Sequence, residues 1–194
     1  MQQNIYIMNG LTCKCERFIS IPLCRQETEY TCGVACVQSI LKCYGLEYTQ
    51  DVLAEKMHTK PVLGTDYRDI LHFIQEIGFQ GNLFQYMNIE HLKSMIRKGI
   101  TPVLLIQAWA EEGTSYVTDW SDSHYVIACG YDQDNIIVMD PYTLGNYTYI
   151  PANELIDRWH VADQYGCRYF NSGLLIKNES APYIYDPCKV KYLG

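Results

Sequence analysis

Gln26-Glu27-Thr28-Glu29-Tyr30-Thr31-Cys32-Gly33-Val34-Ala35-Cys36 sets a thiol where a polar turn gives way to an apolar run of helical period. A helix opening at Cys32 aims unpaired backbone N–H groups and partial positive charge at the sulfur, which favours thiolate. Gln26, upstream of the thiol, carries an amide that can donate to a developing oxyanion. Past Cys32, the apolar Val34, Val37, Ile40, Leu41 and Tyr44 recur at helical spacing up to Gly45. The spacing predicts a helix from Cys32 to Tyr44, with glycine as its stop.

Outward from that helix, Thr49 caps a short one carrying Val52, Leu53 and Met57, and Thr65 or Asp66 opens a longer one striped by Ile70, Leu71, Ile74 and Ile77. A fourth runs from Asn88 to Lys98 and ends at Gly99. Beyond Gly99 the pattern changes to short, bounded apolar runs: Thr101 to Gln107, His124 to Gly130, Ile136 to Met139, Asn146 to Ile150 and Ser172 to Lys177. Asp132-Gln-Asp-Asn supplies a hairpin turn, and Ala152 to Trp159 a short helix. The expected fold class is α+β, a helical N-terminal half packed on a C-terminal antiparallel β-sheet. The domain is expected over residues 22–177, with an N-terminal extension (1–21) and a C-terminal tail (178–194) holding Tyr183, Tyr185 and Tyr192.

Composition narrows the function classes. With 194 residues, 48% of them hydrophobic and 19% charged, the chain can bury one ordinary core. A net charge of −7 without any basic run argues against nucleic acid as a partner. No apolar stretch approaches the roughly 20 residues of a membrane span, and Met1 to Cys13 lacks the parts of a signal peptide. Nine cysteines, an odd number, fit a reducing, cytoplasmic setting better than a disulfide scaffold. Cys13, Cys15 and Cys24 lie close together, but without a CxxC pair or a nearby histidine they do not make a zinc site, so neither metal nor cofactor is expected.

A nucleophilic thiol needs a base. His58, His72 and His91 sit on or beside helices among charged residues, where solvation accounts for them. His124 instead opens an apolar strand after the polar run Asp119-Trp-Ser-Asp-Ser, and Asp140 closes the neighbouring hairpin strand. A turn near Gln133 brings the two together, so the carboxylate can hold the imidazole in the tautomer that takes a proton from a thiol. Trp109, Trp120, Asp119 and Asp122 precede His124 and are expected to line a cleft suited to apolar or basic side chains.

Gln26, Thr31-Cys32-Gly33-Val34-Ala35-Cys36, His124-Tyr125-Val126-Ile127 through Gly130-Tyr131-Asp132, and Asp140-Pro141 together resemble the C39 and C39-like peptidase family, over roughly Pro22 to Ile176. The resemblance implies a papain-like cysteine peptidase fold and a peptide or protein substrate. It implies Cys32 as nucleophile, His124 as general base and later acid, Asp140 as the residue orienting His124, and Gln26 as oxyanion donor. Cys36 matches a small or cysteine position and is read as packing. Family members that cut leader peptides after a Gly-Gly pair are exporter domains, and no transporter region follows here, so a stand-alone member is expected. The same thiol chemistry also serves acyl or peptidyl transfer, and the fold can serve as a non-catalytic peptide-binding module. Oligomeric state is left open.

Overall fold

Short polar residues at helix starts and glycines at helix stops divide the first half of the chain. In the computed structural model, which describes residues 5–8, 11–109, 112–143, 147–179 and 185, the order is β1 (Ile5–Met8), β2 (Leu11–Lys14), β3 (Arg17–Phe18), α1 (Cys32–Cys43), α2 (Gln50–Lys56), α3 (Tyr67–Glu76), β4 (Gln80–Phe84), α4 (Ile89–Arg97), β5 (Val103–Gln107), β6 (Ser123–Tyr131), β7 (Asn135–Met139), β8 (Tyr147–Pro151), α5 (Ala152–Arg158), β9 (His160–Ala162), β10 (Arg168–Phe170) and β11 (Gly173–Lys177). Asp66 caps α3 by accepting the Arg68 N–H at 2.9 Å, and Asn88 caps α4 by accepting the His91 N–H at 2.7 Å. Gly45, Gly78 and Gly99 follow α1, α3 and α4 at positive φ, the conformation that ends a helix without a Cβ clash.

The sheet is antiparallel throughout, in the order β4-β11-β5-β6-β7-β8, with β3 added to β6. Its two faces bury separate clusters. Val34, Val37, Ile40 and Leu41 of α1 pack with Ile70 and Ile74 of α3 against Val103, Leu105, Ile127, Ile137 and Met139. On the other face Leu92 and Ile96 of α4, with Leu155 and Trp159, cover Leu104, Ile106, Val126, Ala128 and Val138. Strand β5 is buried at every residue, which is why its sequence is a continuous apolar run rather than an alternation.

The expected α+β class and antiparallel sheet are present, but the division near Gly99 is not clean. Strand β4 belongs to the first half yet forms a sheet edge, pairing with β11 from Gln80↔Lys177 to Phe84↔Gly173. Its polar composition hid it, because an edge strand buries only part of its surface. Gly81 is its contact point, where a Cβ would lie 2.7 Å from Leu71 of α3. The β9–β10 and β1–β2 hairpins, each outside the large sheet, were also unanticipated. Residues 17–21, counted above with the N-terminal extension, pack with the sheet: β3 pairs with Gly130 and Tyr131, and Ile21 is fully buried. Most of the expected tail, and Asn146, lie outside the described residues; within the tail, Tyr185 packs on the first cluster.

Candidate active site

Thr31 occupies the N-cap position of α1 without capping it. Its hydroxyl is spent locally, donating to the Thr28 carbonyl at 3.1 Å and accepting the Thr28 N–H at 3.0 Å. The uncapped amides face the first helical residue, Cys32, whose sulfur accepts from the Gly33 and Tyr125 backbone N–H groups. Cys32 also hydrogen-bonds His124, the second residue of β6, which is 4% exposed. On its other side His124 Nε2 meets Asp140 Oδ1 at 2.8 Å. With Nε2 so engaged, Nδ1 is the nitrogen left for the thiol. The carboxylate is itself held, Oδ1 accepting the Tyr142 N–H at 3.0 Å and Oδ2 the Thr143 hydroxyl at 2.7 Å.

One extra residue decides that His124 and Asp140 share a face. Tyr131↔Ile136 and Gly130↔Ile137 pair in one register, whereas Ala128↔Val138 and Ile127↔Met139 pair in the next, so Cys129 is a bulge. Continued to the strand end, the second register sets position 142 opposite His124, with Asp140 its diagonal neighbour on the same face. The first register would have set 143 there and turned Asp140 to the opposite face. The turn near Gln133 foretold the pairing but not this shift.

Burial weighs against ionising Cys32 more than any single partner favours it. Even so, the hydrogen bond and charge of His124, with the two backbone N–H groups, bring its thiol below the ordinary range. His124 is likewise penalised by burial, yet the hydrogen bonds to Asp140 and Cys32 raise it to about 9. Asp140, also opposed by burial, is lowered by His124 and by its Tyr142 and Thr143 donors. Cys24, Cys36 and Cys129 move the other way, pushed up chiefly by burial. Cys36 faces Cys32 one helical turn on, but its thiol donates to the Tyr125 carbonyl at 3.5 Å and stays a packed, neutral group.

The surroundings fix these groups. Trp109, at φ +51°, lies with its ring 4.6 Å from that of His124 and 4.5 Å from that of Tyr142, which screens the imidazole from water. Gly33 leaves room for the Tyr125 ring, which a Cβ would approach to 3.2 Å. Gln26 is buried beside the site: its backbone N–H donates to Pro141 O at 2.9 Å, and Nε2 spends one hydrogen on Thr28 O at 2.8 Å. Neither the Trp109 contact nor the Tyr125 packing was foreseen. A positive-φ tryptophan leaves no mark in a single sequence.

Cys32 and His124 lie in a cavity of about 340 Å³. One wall is the loop from His58 to Tyr67 with Glu29 and Tyr30; the other is Trp120, Ser121 and Ser123 with the β9–β10 hairpin. Arg68 joins the walls, bonding Asp66 at 2.9 Å on its own side and Asp163 and, at 3.1 Å, the Tyr169 hydroxyl on the other. At the rim Val62 adopts φ +70°, with the Leu63 N–H reaching back to Pro61 O at 2.8 Å. A β-branched residue so placed costs about 1–3 kcal/mol, and at 93% exposure Val62 recovers almost none of it by burial. Of the residues expected to line the cleft only Trp120 does. Asp119 is buried, its Oδ1 taken by the Ser121 N–H at 3.0 Å, and Asp122 lies off the cavity because its N–H is drawn to Gln107 at 2.9 Å. His58 and His72 are exposed beside Asp69 and Glu76. Among the described residues no cluster of His, Cys, Asp or Glu could hold a metal, and no helix is long and apolar enough to cross a membrane.

The family model of the Peptidase_C39 like family matches residues 18–167. The chain belongs to that family. Among solved structures, this C39-like chain is similar to a protein described as a C39-like peptidase from Bacillus anthracis, at 16% identity, covering 84% of this chain and 98% of that one, with a TM-score of 0.62. It is similar to the peptidase domain of Streptococcus ComA, a bi-functional ABC transporter involved in quorum sensing, at 18% identity over 79% and 96% of the two chains, TM-score 0.56. It is similar also to a double glycine motif protease from an AMS/PCAT transporter in complex with the leader peptide, at 15% identity over 83% and 94%, TM-score 0.56. No curated protein matches the sequence. At these identities the structures establish the fold, and family and fold are those of peptidase domains.

Proposed function

We propose that this C39-like protein is a cysteine peptidase that cleaves a peptide amide through Cys32, His124 and Asp140. One observation carries the reading: Cys32 is held below the ordinary thiol range by a histidine whose other nitrogen rests on a carboxylate, while buried Cys24, Cys36 and Cys129 are pushed up. The Cys32 thiolate attacks the carbonyl, and the oxyanion receives the Cys32 backbone N–H and the second Nε2 hydrogen of Gln26. Imidazolium His124 protonates the leaving amine; neutral again, it activates the water that splits the thioester. Asp140 keeps the ring oriented and its charge supported. By analogy with the leader-bound double glycine protease, the substrate is a peptide with small residues at the cleavage site.

Limited alkylation with iodoacetamide across pH, followed by peptide mass mapping, tests the reading. Cys32 is expected to be modified first near pH 6, ahead of the exposed Cys167. A Cys32 that reacts no faster than Cys167 refutes the assignment. Peptide turnover should also decline as pH rises past about 9, where His124 loses the proton the leaving amine needs. Gln26→Ala is expected to lower kcat by about 10²-fold with little change in KM, because an oxyanion donor acts mainly in the transition state. Equal losses in both constants would remove Gln26 from that role.

A further inference from the structure

The rim loop exposes apolar surface where folding gains nothing from it. Val62 and Leu63 are 93% and 61% exposed, adjacent in sequence, and both border the cavity that holds Cys32 and His124. The loop is not loose. Lys60 and Gly64 exchange two backbone hydrogen bonds at 2.9 Å, and the Thr59 and Thr65 hydroxyls meet at 2.8 Å. Gly64 lies close to the Tyr30 carbonyl, two residues before the thiol. The Tyr125 hydroxyl donates to Thr65 O at 3.1 Å, and Tyr125 follows His124 directly in β6 and packs on Gly33. The tip is therefore fixed relative to the thiol and imidazole through their immediate chain neighbours.

A rigid tip whose central valine sits in the left-handed region, unburied, has its use outside the folded chain. We infer that Val62 and Leu63 are specificity-determining residues that receive an apolar side chain of the peptide whose carbonyl Cys32 attacks. This rests on the peptidase reading above. The occupant is the substrate itself, because the apolar tip is continuous with the cavity of the reacting groups. On the walls Asp66 and Asp163 are paired with Arg68, and of the apolar side chains lining the cavity Val62 and Leu63 are the exposed ones.

The test uses acetyl-tetrapeptide chloromethyl ketones ending in glycine, otherwise alanine, with one leucine, lysine or glutamate moved through the three preceding positions. At one position leucine should speed alkylation of Cys32 at least tenfold over the alanine parent. In Val62→Gly combined with Leu63→Ser the gain should fall below threefold. Glycine suits the backbone at φ +70°, and Leu63→Ser alone should lose part of the gain should the double variant fail to fold. The iodoacetamide rate at Cys32 reads the thiolate and serves as the internal reference. A leucine preference that survives the substitutions, or no preference for leucine at any position, overturns the inference. If iodoacetamide labels Cys32 and none of the ketones does, the peptidase reading falls and this inference with it.

Discussion

His124→Ala is expected to slow carbamidomethylation of Cys32 at pH 6 by about 10²-fold and peptide turnover by about 10⁴-fold. The first figure follows from ionisation. An ordinary thiol is ionised to about 0.3% at pH 6, and Cys32 without its histidine keeps the burial that opposes the thiolate. The Gly33 and Tyr125 N–H groups remain in the variant, so any residual excess reactivity over Cys36 measures their share together with that of the helix terminus. The second figure is larger because turnover also loses its general acid and base. An unchanged alkylation rate would mean that His124 neither ionises nor contacts the thiol in solution.

Asp140→Asn separates orientation from charge. An amide oxygen in place of Oδ1 can still accept His124 Nε2–H and the Tyr142 N–H, while Nδ2 can donate to the Thr143 hydroxyl, so the constellation of 2.8, 3.0 and 2.7 Å contacts is retained in shape. The negative charge is not. Turnover should fall by about 10²–10⁴-fold, and the alkaline decline should move from about 9 towards the ordinary histidine range, since the Asp140 hydrogen bond and charge raise His124. Stability has a matching signature. The depressed Asp140 pKa stabilises the fold above the ordinary aspartate value, near 3.9, and that contribution vanishes as pH falls through the native value. His124 is raised, so its contribution is complete below about 6.5 and disappears as pH climbs through about 9. The difference in denaturation midpoint between wild type and Asp140→Asn should therefore be present near pH 6 and close in strong acid. A variant that unfolds cooperatively at pH 6 would make Asp140 mainly a turn residue.

How far these residues could be read from the sequence depended on how local their signals are. Cys32 stands at a turn-to-helix junction with an apolar stripe behind it, and His124 and Asp140 sit at the ends of two apolar runs joined by an Asp-rich turn. Each is visible in a few neighbours. The bulge at Cys129 is a matter of pairing between strands and leaves no mark in either one alone, although it decides which face Asp140 occupies. Strand β4 and the β9–β10 hairpin are short and partly exposed, so period-two patterning is weak in both. The second cleft wall depends on Arg68 meeting Asp163 and Tyr169 from far along the chain, a contact of tertiary origin. Asp119 and Asp122 were misplaced for a related reason: a polar run leading into His124 reads as a cleft wall, and here its members are turned inward or aside by backbone hydrogen bonds.

The two hydrophobic clusters on opposite faces of the sheet bear on the thiol in a further way. Cys32 is carried by α1, whose apolar side belongs to one cluster, while His124 shares its strand face with Val126 and Ala128 of the other. The sulfur and the imidazole thus answer to two independent layers, and their separation is a gauge of how those layers are seated. A cavity opened in either layer, far from any substrate, would be registered first as a slower thiol, well before global unfolding.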